Sequence, residues 1–455
     1  MSRSGLSKSA LTERRLQVRD IMRSVSLMAL PAFMSSLLVY LMNLLNYIIL
    51  AMFSDYTSIA SYGIVSSYTN LAAGFFVPVS MGTGYMLQRA MKAGDSYKVQ
   101  SIIDSMILIT VPIGLASTAF AFFIAPAYIW QVVTPEEIKA ATTMFLRFFS
   151  FTFLPILYFS VTTSVLIQSG ERTVPLMAEI SALALHGSFS YIFVGLFSWD
   201  IRGIAISAII SQIIASLINT HQILTIRRKS IARPPIRINR SVIRELAREE
   251  RALVLMAVLA GVFAIFLQFY IDGLGIPTIA GFTLFFLFQD LLFIPIHALR
   301  TPARNLSREA YDRDGNNALI EIMNPLILTA ILYSLLLIPL TRLIGPPLFL
   351  LFSHDPEVTT VGMRLVNLVS SYYIFYAVST LLTSSLEGLG KKTLLSVFNI
   401  VFNFAARFLV LILAAMLIQG DESIAICYPI SWALSTASIG IYYFATYSKT
   451  GKYSL

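Results

Sequence analysis

The sequence predicts an all-α polytopic membrane protein whose twelve transmembrane helices form two parallel six-helix bundles. Three observations lead to this fold class: an apolar composition, the placement of the basic residues and an internal repeat. Hydrophobic residues make up 56% of the 455 residues and charged residues only 13%, whereas a soluble domain carries about a quarter charged residues. This composition excludes an ordinary soluble domain.

Twelve apolar stretches are each long enough to cross a bilayer, which requires about 20 residues of α-helix. They occupy residues 24–53, 59–88, 101–125, 141–167, 174–198, 203–226, 251–271, 278–300, 318–340, 357–386, 393–418 and 422–447. The first apolar stretch is too long for a cleavable secretion signal, so we expect it to form the first span.

Basic residues lie on one side of this predicted topology. Most of the 33 Lys and Arg residues precede the first span or follow even-numbered spans, and the opposite loops carry mainly Asp and Glu. Because short loops rich in Lys and Arg stay in the cytoplasm during insertion, we expect a multi-pass protein of the inner (plasma) membrane with both termini cytoplasmic. The net charge of +9 fits attraction to anionic lipid, so we expect the lipid bilayer as a partner and no nucleic acid.

The two halves of the chain resemble each other. Residues that recur at corresponding places are Pro78 and Pro295, Arg147 and Arg364, and Gly170 and Gly390. Each half has an even number of spans and begins on the same side, so the halves are predicted to be parallel repeats related by an axis along the membrane normal. The predicted domains are a basic N-terminus (1–23), a six-helix bundle (24–226), a basic linker (227–250), a second bundle (251–447) and a tail (448–455).

Several short motifs carry a resemblance to a known family. They are Pro31, Gly82-Thr83-Gly84, Lys92-Ala93-Gly94-Asp95, Phe145-Leu146-Arg147-Phe148 with Pro155, Arg202-Gly203-Ile204-Ala205, and Glu387-Gly388-Leu389-Gly390-Lys391-Lys392-Thr393. With these motifs the chain resembles the multidrug and toxin extrusion (MATE) family, within the MOP flippase superfamily. The resemblance implies an ion-coupled exporter of small amphipathic or xenobiotic compounds that alternates access between two bundles. It also implies a central cavity lined largely by spans one, two, seven and eight.

The chain departs from the MATE pattern at the residues that couple transport to an ion gradient. Ion-coupled members carry an Asp in span one, where this chain has Asn46. The usual Asp of span five falls near Ser190, and the Asp that some members carry in span ten falls near Tyr376. Either the coupling residue has moved, or this protein is not a standard cation antiporter.

Ionisable side chains inside spans are costly and are therefore functional candidates. Asp290, Arg407 and His186 lie near the middle of spans eight, eleven and five, and Glu179 lies nearer the cytoplasmic end of span five. A carboxylate at mid-membrane needs a partner or a wet cavity, so Asp290 is interpreted either as an ion pair with Arg407 or as the coupling site. His186 is interpreted either as a titrating group or as a hydrogen-bonding contact with a neighbouring helix.

Four uncharged polar residues complete the candidate set. Asn43 and Asn46 lie one turn apart on one face of span one, and we expect them to join helices or to line a cavity. Tyr372 and Tyr376 of span ten are predicted to line a substrate cavity or to pack at the membrane interface.

Other functional classes fit the sequence less well. The loop after span two lacks the Gly-x-x-x-Asp-Arg pattern of major facilitator carriers. In Gly390-Lys391-Lys392-Thr393, Lys392 stands at the position where a phosphate-binding loop has Ser or Thr. The four histidines are scattered without carboxylates at metal-ligand spacing. We therefore expect no enzyme, no metal and no cofactor other than a proton or sodium gradient. The main interpretation is a monomeric carrier of a small-molecule substrate, and the alternative is a flippase for lipid-linked saccharides or other lipids.

Overall fold

The computed structural model describes residues 3–131, 134–229, 238–418 and 420–447. Within these ranges the chain consists of helices joined by short turns, and no strand occurs among the described residues. The predicted tail (448–455) and residues 230–237 of the predicted linker lie outside the described residues. The all-α prediction is confirmed.

Among the described residues of the first half, the six predicted spans lie on eight α-helices and two π-helical segments. The α-helices are α1 (Arg3–Phe53), α2 (Tyr56–Lys92), α3 (Ser96–Ala119), α4 (Ala125–Gln131), α5 (Glu136–Ser150), α6 (Phe153–Gln168), α7 (Thr173–Ser190) and α8 (Ile201–Lys229). The π-helical segment Phe120–Ile124 joins α3 to α4, and Tyr191–Leu196 continues α7. Helices α5 and α6 meet at a bend of 40° and together are long and apolar enough for one span.

The described residues of the second half form nine α-helices. They are α9 (Arg240–Asp272), α10 (Ile276–Ala298), α11 (Arg300–Asp314), α12 (Asn316–Phe352), α13 (Pro356–Val369), α14 (Tyr373–Gly388), α15 (Lys392–Phe398), α16 (Ala406–Leu417) and α17 (Asp421–Tyr447). A 3₁₀ segment, Ser370–Tyr372, separates α13 from α14, and the π-helical segment Asn399–Ala405 joins α15 to α16. Among the described residues, 11 helices are long and apolar enough to cross a membrane, or up to 12 if the bent pair is one span.

The same irregularities recur at corresponding places in the two halves. Gly170 follows α6 with φ 91°, and Gly390 follows α14 with φ 79°. These backbone angles strain any residue with a Cβ, and glycine relieves that strain at the end of a helix. The fourth span breaks between α5 and α6, and the tenth breaks between α13 and α14. The fifth and eleventh spans both contain a π-helical segment, so the recurrence supports the internal repeat.

Contacts divide the chain into two compact units. Unit 1 comprises Met1–Tyr40, Phe285–Leu348 and Met363–Leu455, and unit 2 comprises Leu41–Leu284 and Phe349–Gly362. In unit 2, α2 packs along α9, and α6 and α7 pack on α8; in unit 1, α11 and α17 pack on α14. The domain boundaries predicted from the sequence follow the order of the spans along the chain. These boundaries and the central cavity stay predictions.

Small residues bring α2 and α9 close together within unit 2. A Cβ on Gly74 would lie 3.1 Å from Ala257, and a Cβ on Gly261 would lie 2.8 Å from the Cα of Leu71. Small residues at these positions let the two helix backbones approach closely. Close packing drives the association of helices in a membrane, because lipid tails are as apolar as the side chains they replace. The seventh span, which lies on α9, therefore packs within unit 2. Residues 240–250 of the predicted linker form the first turns of α9.

Candidate functional site

The first polar cluster lies in unit 2 around His186 of α7, which is 1% exposed. The Nε2 atom of His186 lies 2.5 Å from Oδ1 of Asn46, and Nδ1 lies 3.2 Å from Oγ of Ser207. Asn46 donates through Nδ2 to the Tyr62 hydroxyl at 2.9 Å, and Ser207 shares a hydrogen bond with Ser190. The structure thus brings together Asn46, His186 and Ser190, which the sequence analysis had singled out separately.

Hydrogen bonds at both ring nitrogens suit this cluster to either protonation state of His186. Because the Asn46 nitrogen donates to Tyr62, its oxygen is the acceptor, so Nε2 carries a proton in this assignment. In the neutral ring, Nδ1 accepts from the Ser207 hydroxyl. In the protonated ring, Nδ1 donates, and the Ser207 proton turns to the backbone oxygen of Ile204, 2.9 Å away. Proton uptake would rotate one hydroxyl and would also place a positive charge in a buried cluster, which costs free energy.

Glu179 and Asn43 lie outside the His186 cluster. Glu179 precedes His186 by two turns on α7, about 10 Å along the helix. It is half-buried and makes no hydrogen bond or ion pair with any residue that the structure describes. Asn43 is exposed, whereas Asn46, one turn further along α1, is buried. Of the two asparagines, the cluster therefore uses Asn46.

The second polar cluster lies in unit 1 around Asp290 of α10. The Asp290 side chain is exposed, although the preceding Phe288 and Gln289 are buried. It is close enough to Tyr376 and Tyr428 for a coulombic interaction with each. Charged residues within spans face the protein interior or a water-filled space rather than lipid, and the exposed Asp290 lies beside aromatic rings.

Arg407 is held by groups other than Asp290. Its Nε donates to Oγ of Ser431 at 2.9 Å, and its guanidinium carbon lies 4.7 Å from the centre of the Tyr428 ring. Across ranges 3–131, 134–229, 238–418 and 420–447, no ion pair joins Asp290 to Arg407. Asp290 and Arg407 both lie close enough to Tyr376 and Tyr428 to act on them electrostatically, so the ion pair and the coupling site both stay interpretations of Asp290.

Aromatic side chains surround Tyr376 near Asp290. The Tyr376 ring stacks on Phe293, with ring centres 4.2 Å apart and planes 12° from parallel, and the Trp432 ring centre lies 5.3 Å away. The Tyr376 hydroxyl lies 2.8 Å from Nε2 of His297. The sequence analysis missed His297, although residues 290, 293 and 297 follow one helix face, and this spacing is a signal that could have found it.

Tyr372 has a different environment from Tyr376. It ends the 3₁₀ segment between α13 and α14, is 43% exposed and stacks on Phe375. The 3₁₀ turn rotates Tyr372 relative to the helical position that regular spacing predicts. Of the two candidate tyrosines, Tyr376 therefore shares the aromatic cluster of Phe293 and Trp432, to which Tyr373 also belongs.

A third polar group surrounds Asp272 in unit 2, and the sequence analysis missed it. Asp272 is 3% exposed. It accepts hydrogen bonds from Nε2 of Gln268 at 2.7 Å and from Oγ1 of Thr134 at 2.8 Å. Oε1 of Gln268 accepts from Oγ of Ser67 at 3.0 Å. These bonds tie α9 to α2 and to the turn before α5. Asp272 ends its helix and resembles a loop acid in the sequence, so the hydropathy pattern alone does not predict its burial.

Two of the polar clusters border π-helical segments. The segment Tyr191–Leu196 begins directly after Ser190, and the segment Asn399–Ala405 ends two residues before Arg407. A π-helical turn rotates the side chains that follow it and occurs often at functional sites. No group of three His, Cys, Asp or Glu side chains in the described ranges could hold a metal ion, and the expectation of no cofactor stays a prediction.

Comparison with known proteins identifies the family likeness. The model of the MatE family matches residues 31–192, a range that contains the His186 cluster up to Ser190. The probable multidrug resistance protein YpnP of Bacillus subtilis (strain 168) is 19% identical over 431 residues, which cover 93% of this chain and 95% of the relative. The MATE resemblance predicted from the sequence is confirmed.

Solved structures of low sequence identity share the fold. An inward-facing multidrug resistance transporter of the MATE family and MOP superfamily aligns with a TM-score of 0.81 at 14% identity, over 90% of this chain and 96% of its own. A MOP superfamily transporter from Pyrococcus furiosus, whose binding pocket is described as having reverse polarity, aligns with a TM-score of 0.74 at 15% identity, over 94% and 96%. The predicted fold class is confirmed.

Proposed function

From this likeness we propose that the protein is a secondary active exporter of small amphipathic or xenobiotic compounds. It acts as a monomer in the plasma membrane, with both termini cytoplasmic, by alternating access between two bundles. The family match and the Bacillus subtilis relative, which is named as a probable multidrug resistance protein, support this use. They do not favour the alternative, a flippase for lipid-linked saccharides or other lipids.

The observation that carries the proposal is the accessible carboxylate of Asp290 beside aromatic rings. Stacked rings such as Phe293 and Tyr376 offer apolar faces to the flat part of an amphipathic compound. A carboxylate and ring faces together attract a cationic group. This combination of apolar walls and one converging charge is typical of a small-molecule site.

We propose that protons drive this export, with Asp290 as the first coupling candidate and His186 as the second. Asp290 is exposed and has no ion pair with Arg407 among the described residues, so its carboxylate is able to exchange protons with water. His186 is buried, but its hydrogen bonds fit both protonation states. A sodium site needs several oxygen ligands around one ion, and no group of three His, Cys, Asp or Glu side chains that could hold a metal ion occurs among the described residues.

Gradient-driven transport in proteoliposomes tests this proposal. With the lumen more acidic than the medium, we expect uptake of the cationic dye ethidium, and we expect none when a sodium gradient replaces the proton gradient. Empty liposomes and liposomes with a dissipated gradient are the controls. If neither gradient moves any amphipathic dye while a fluorescent lipid-linked sugar crosses the bilayer, the flippase alternative is correct.

The proposed orientation predicts which introduced cysteines an impermeant thiol reagent reaches in intact cells. Cysteine in place of Glu136, which is exposed at the start of α5, should be labelled from outside. Cysteine in place of Arg313, at the end of α11, should be labelled only after lysis. The native Cys427 is buried and gives little background. Labelling in the reverse pattern would contradict the positive-inside orientation.

A further inference from the structure

The first turns of α9 present a row of arginines to solvent, and this row has no part in the transport mechanism proposed above. The four arginines are all exposed and recur every three or four residues: Arg240, Arg244, Arg248 and Arg251. Because an α-helix turns by about 100° per residue, these positions fall within an arc of about 80° around the helix. We call these four residues the arginine face.

The opposite side of the same turns packs on the protein and fixes the direction of the arginine face. Val242 and Leu246 are buried. A Cβ on Gly82 of α2 would lie 2.4 Å from Cδ1 of Leu246, so the first glycine of the Gly-Thr-Gly motif makes room for α9 to approach α2. Since Leu246 lies nearly opposite the arginines around the helix, this contact holds the arginine face away from α2.

The acidic residues of these turns do not neutralise the arginine face. One carboxylate oxygen of Glu245 lies 3.7 Å from Nη2 of Arg89, and the other lies 3.3 Å from Nζ of Lys98. Glu249 also pairs with Arg89, and Glu250 is 3% exposed. None of the four arginines forms an ion pair with any residue in the ranges that the structure describes. The arginine face therefore keeps its positive charge toward solvent.

The arginine face begins at the membrane surface and extends away from it. The apolar part of α9 starts at Val254, and a rise of about 1.5 Å per residue places Arg251 about 4.5 Å and Arg248 about 9 Å before it. Arg244 and Arg240 lie about 15 and 21 Å before it. The headgroup layer on each side of a bilayer is about 5–8 Å thick. Two arginines therefore lie at the headgroups and two lie beyond them, on the side that the charge pattern predicts to be cytoplasmic.

We propose that the arginine face binds the headgroups of anionic phospholipids in the cytoplasmic leaflet. Arg248 and Arg251 donate hydrogen bonds to a headgroup phosphate, which matches the planar fork of a guanidinium group. Arg240 and Arg244 add a weaker attraction, because salt screens charges over about 8 Å at physiological ionic strength. The net negative charge of the lipid selects it over a zwitterionic one. Since α9 continues unbroken into the seventh span, headgroups are the anions that this face meets.

Two double variants of α9 test the proposal by depth. Arg248 and Arg251 are replaced by Gln in the inner variant, and Arg240 and Arg244 in the outer variant, so both lose two exposed charges. The full chain is delipidated in detergent, phosphatidylglycerol or phosphatidylcholine is added, and retained lipids are counted by native mass spectrometry. We expect the wild type to prefer phosphatidylglycerol. The inner variant should bind it about 25-fold more weakly and the outer variant less than about 5-fold, because each cation at the headgroups contributes about 5-fold.

A third double variant controls for the loss of exposed charge in general. Replacing Arg308 and Arg313 of α11 by Gln removes two exposed arginines that pair with Asp312 and Asp314, and binding should be unchanged. Melting temperatures should match the wild type in all three variants, since every changed position is exposed. Equal retention of the two lipids by the wild type, or equal losses in the inner and outer variants, would overturn the proposal. Displacement of the lipid by inorganic phosphate or by polyglutamate at equal concentration would show that a free phosphate or an acidic polypeptide is the partner instead.

Discussion

Asp290→Asn should leave the protein folded and inserted in the membrane but remove the dependence of export on the proton gradient. Asparagine has the size of aspartate but cannot bind and release a proton. Because Asp290 has no ion pair with Arg407, the substitution should change the free energy of unfolding by less than about 1 kcal/mol. Export measured against a proton gradient should fall to the level of empty liposomes, while the melting temperature in detergent changes little.

Two controls separate the roles that Asp290 could have. Asp314→Asn makes the same chemical change at an exposed site on α11 and should alter neither export nor stability. If Asp290→Asn instead costs about 3–5 kcal/mol, as expected when one partner of a buried ion pair is lost, Asp290 is a structural partner of a cation. If the variant exports normally with unchanged gradient dependence, Asp290 is not the coupling site.

The choice of substrate distinguishes proton binding from substrate binding at Asp290. If the carboxylate binds the charged group of the substrate, Asp290→Asn should lose export of cationic dyes but keep proton-driven export of uncharged amphipathic compounds. If it binds the proton, export of both classes loses its gradient dependence. Parallel assays with ethidium and an uncharged dye in the same liposomes therefore assign the role.

Hydropathy predicted the spans well because each crossing needs about 20 apolar residues. It did not predict α11, where the sequence is strongly polar. Ala303, Leu306 and Ala310 are buried on one face of that helix, and a short amphipathic stripe is a weaker signal than a long apolar run. The breaks at residues 151–152 and 370–372 were also not predicted, because a bend of a few residues leaves composition unchanged.

Depth along a span can be predicted from the sequence, but the direction in which a side chain points across the bundle cannot. The similar depth of Asp290 and Arg407 left an ion pair and a coupling site as alternatives, and it did not predict that Arg407 bonds to Ser431. Asn46 and His186 were separate candidates, and their contact depends on how α1 and α7 rotate about their axes. Helical spacing fixes which residues share a face, whereas the partner of that face is fixed by packing with helices far away in the sequence.

His186→Leu should produce the second large effect, a loss of stability. The change leaves the Asn46 carbonyl buried beside an apolar side chain, and such an unsatisfied group costs about 1–3 kcal/mol. The Ser207 hydroxyl keeps its hydrogen bonds to Ser190 and to the backbone oxygen of Ile204, so we expect a total loss of about 1–3 kcal/mol, measured as the free energy of unfolding in detergent. The control is Ser188→Leu on the same helix, where the side chain is exposed and bonds only to its own backbone; stability there should be unchanged.

A double variant shows whether the His186 contact itself is responsible. Replacing Asn46 and His186 together by Leu removes the acceptor and its donor at once, so the double variant should lose less stability than the sum of the two single changes. Additive losses would mean that the two side chains do not depend on each other. His186→Gln keeps a hydrogen-bonding group but cannot titrate near neutral pH. If His186 rather than Asp290 carries the coupled proton, His186→Gln should fold normally and lose gradient dependence, while Asp290→Asn keeps it.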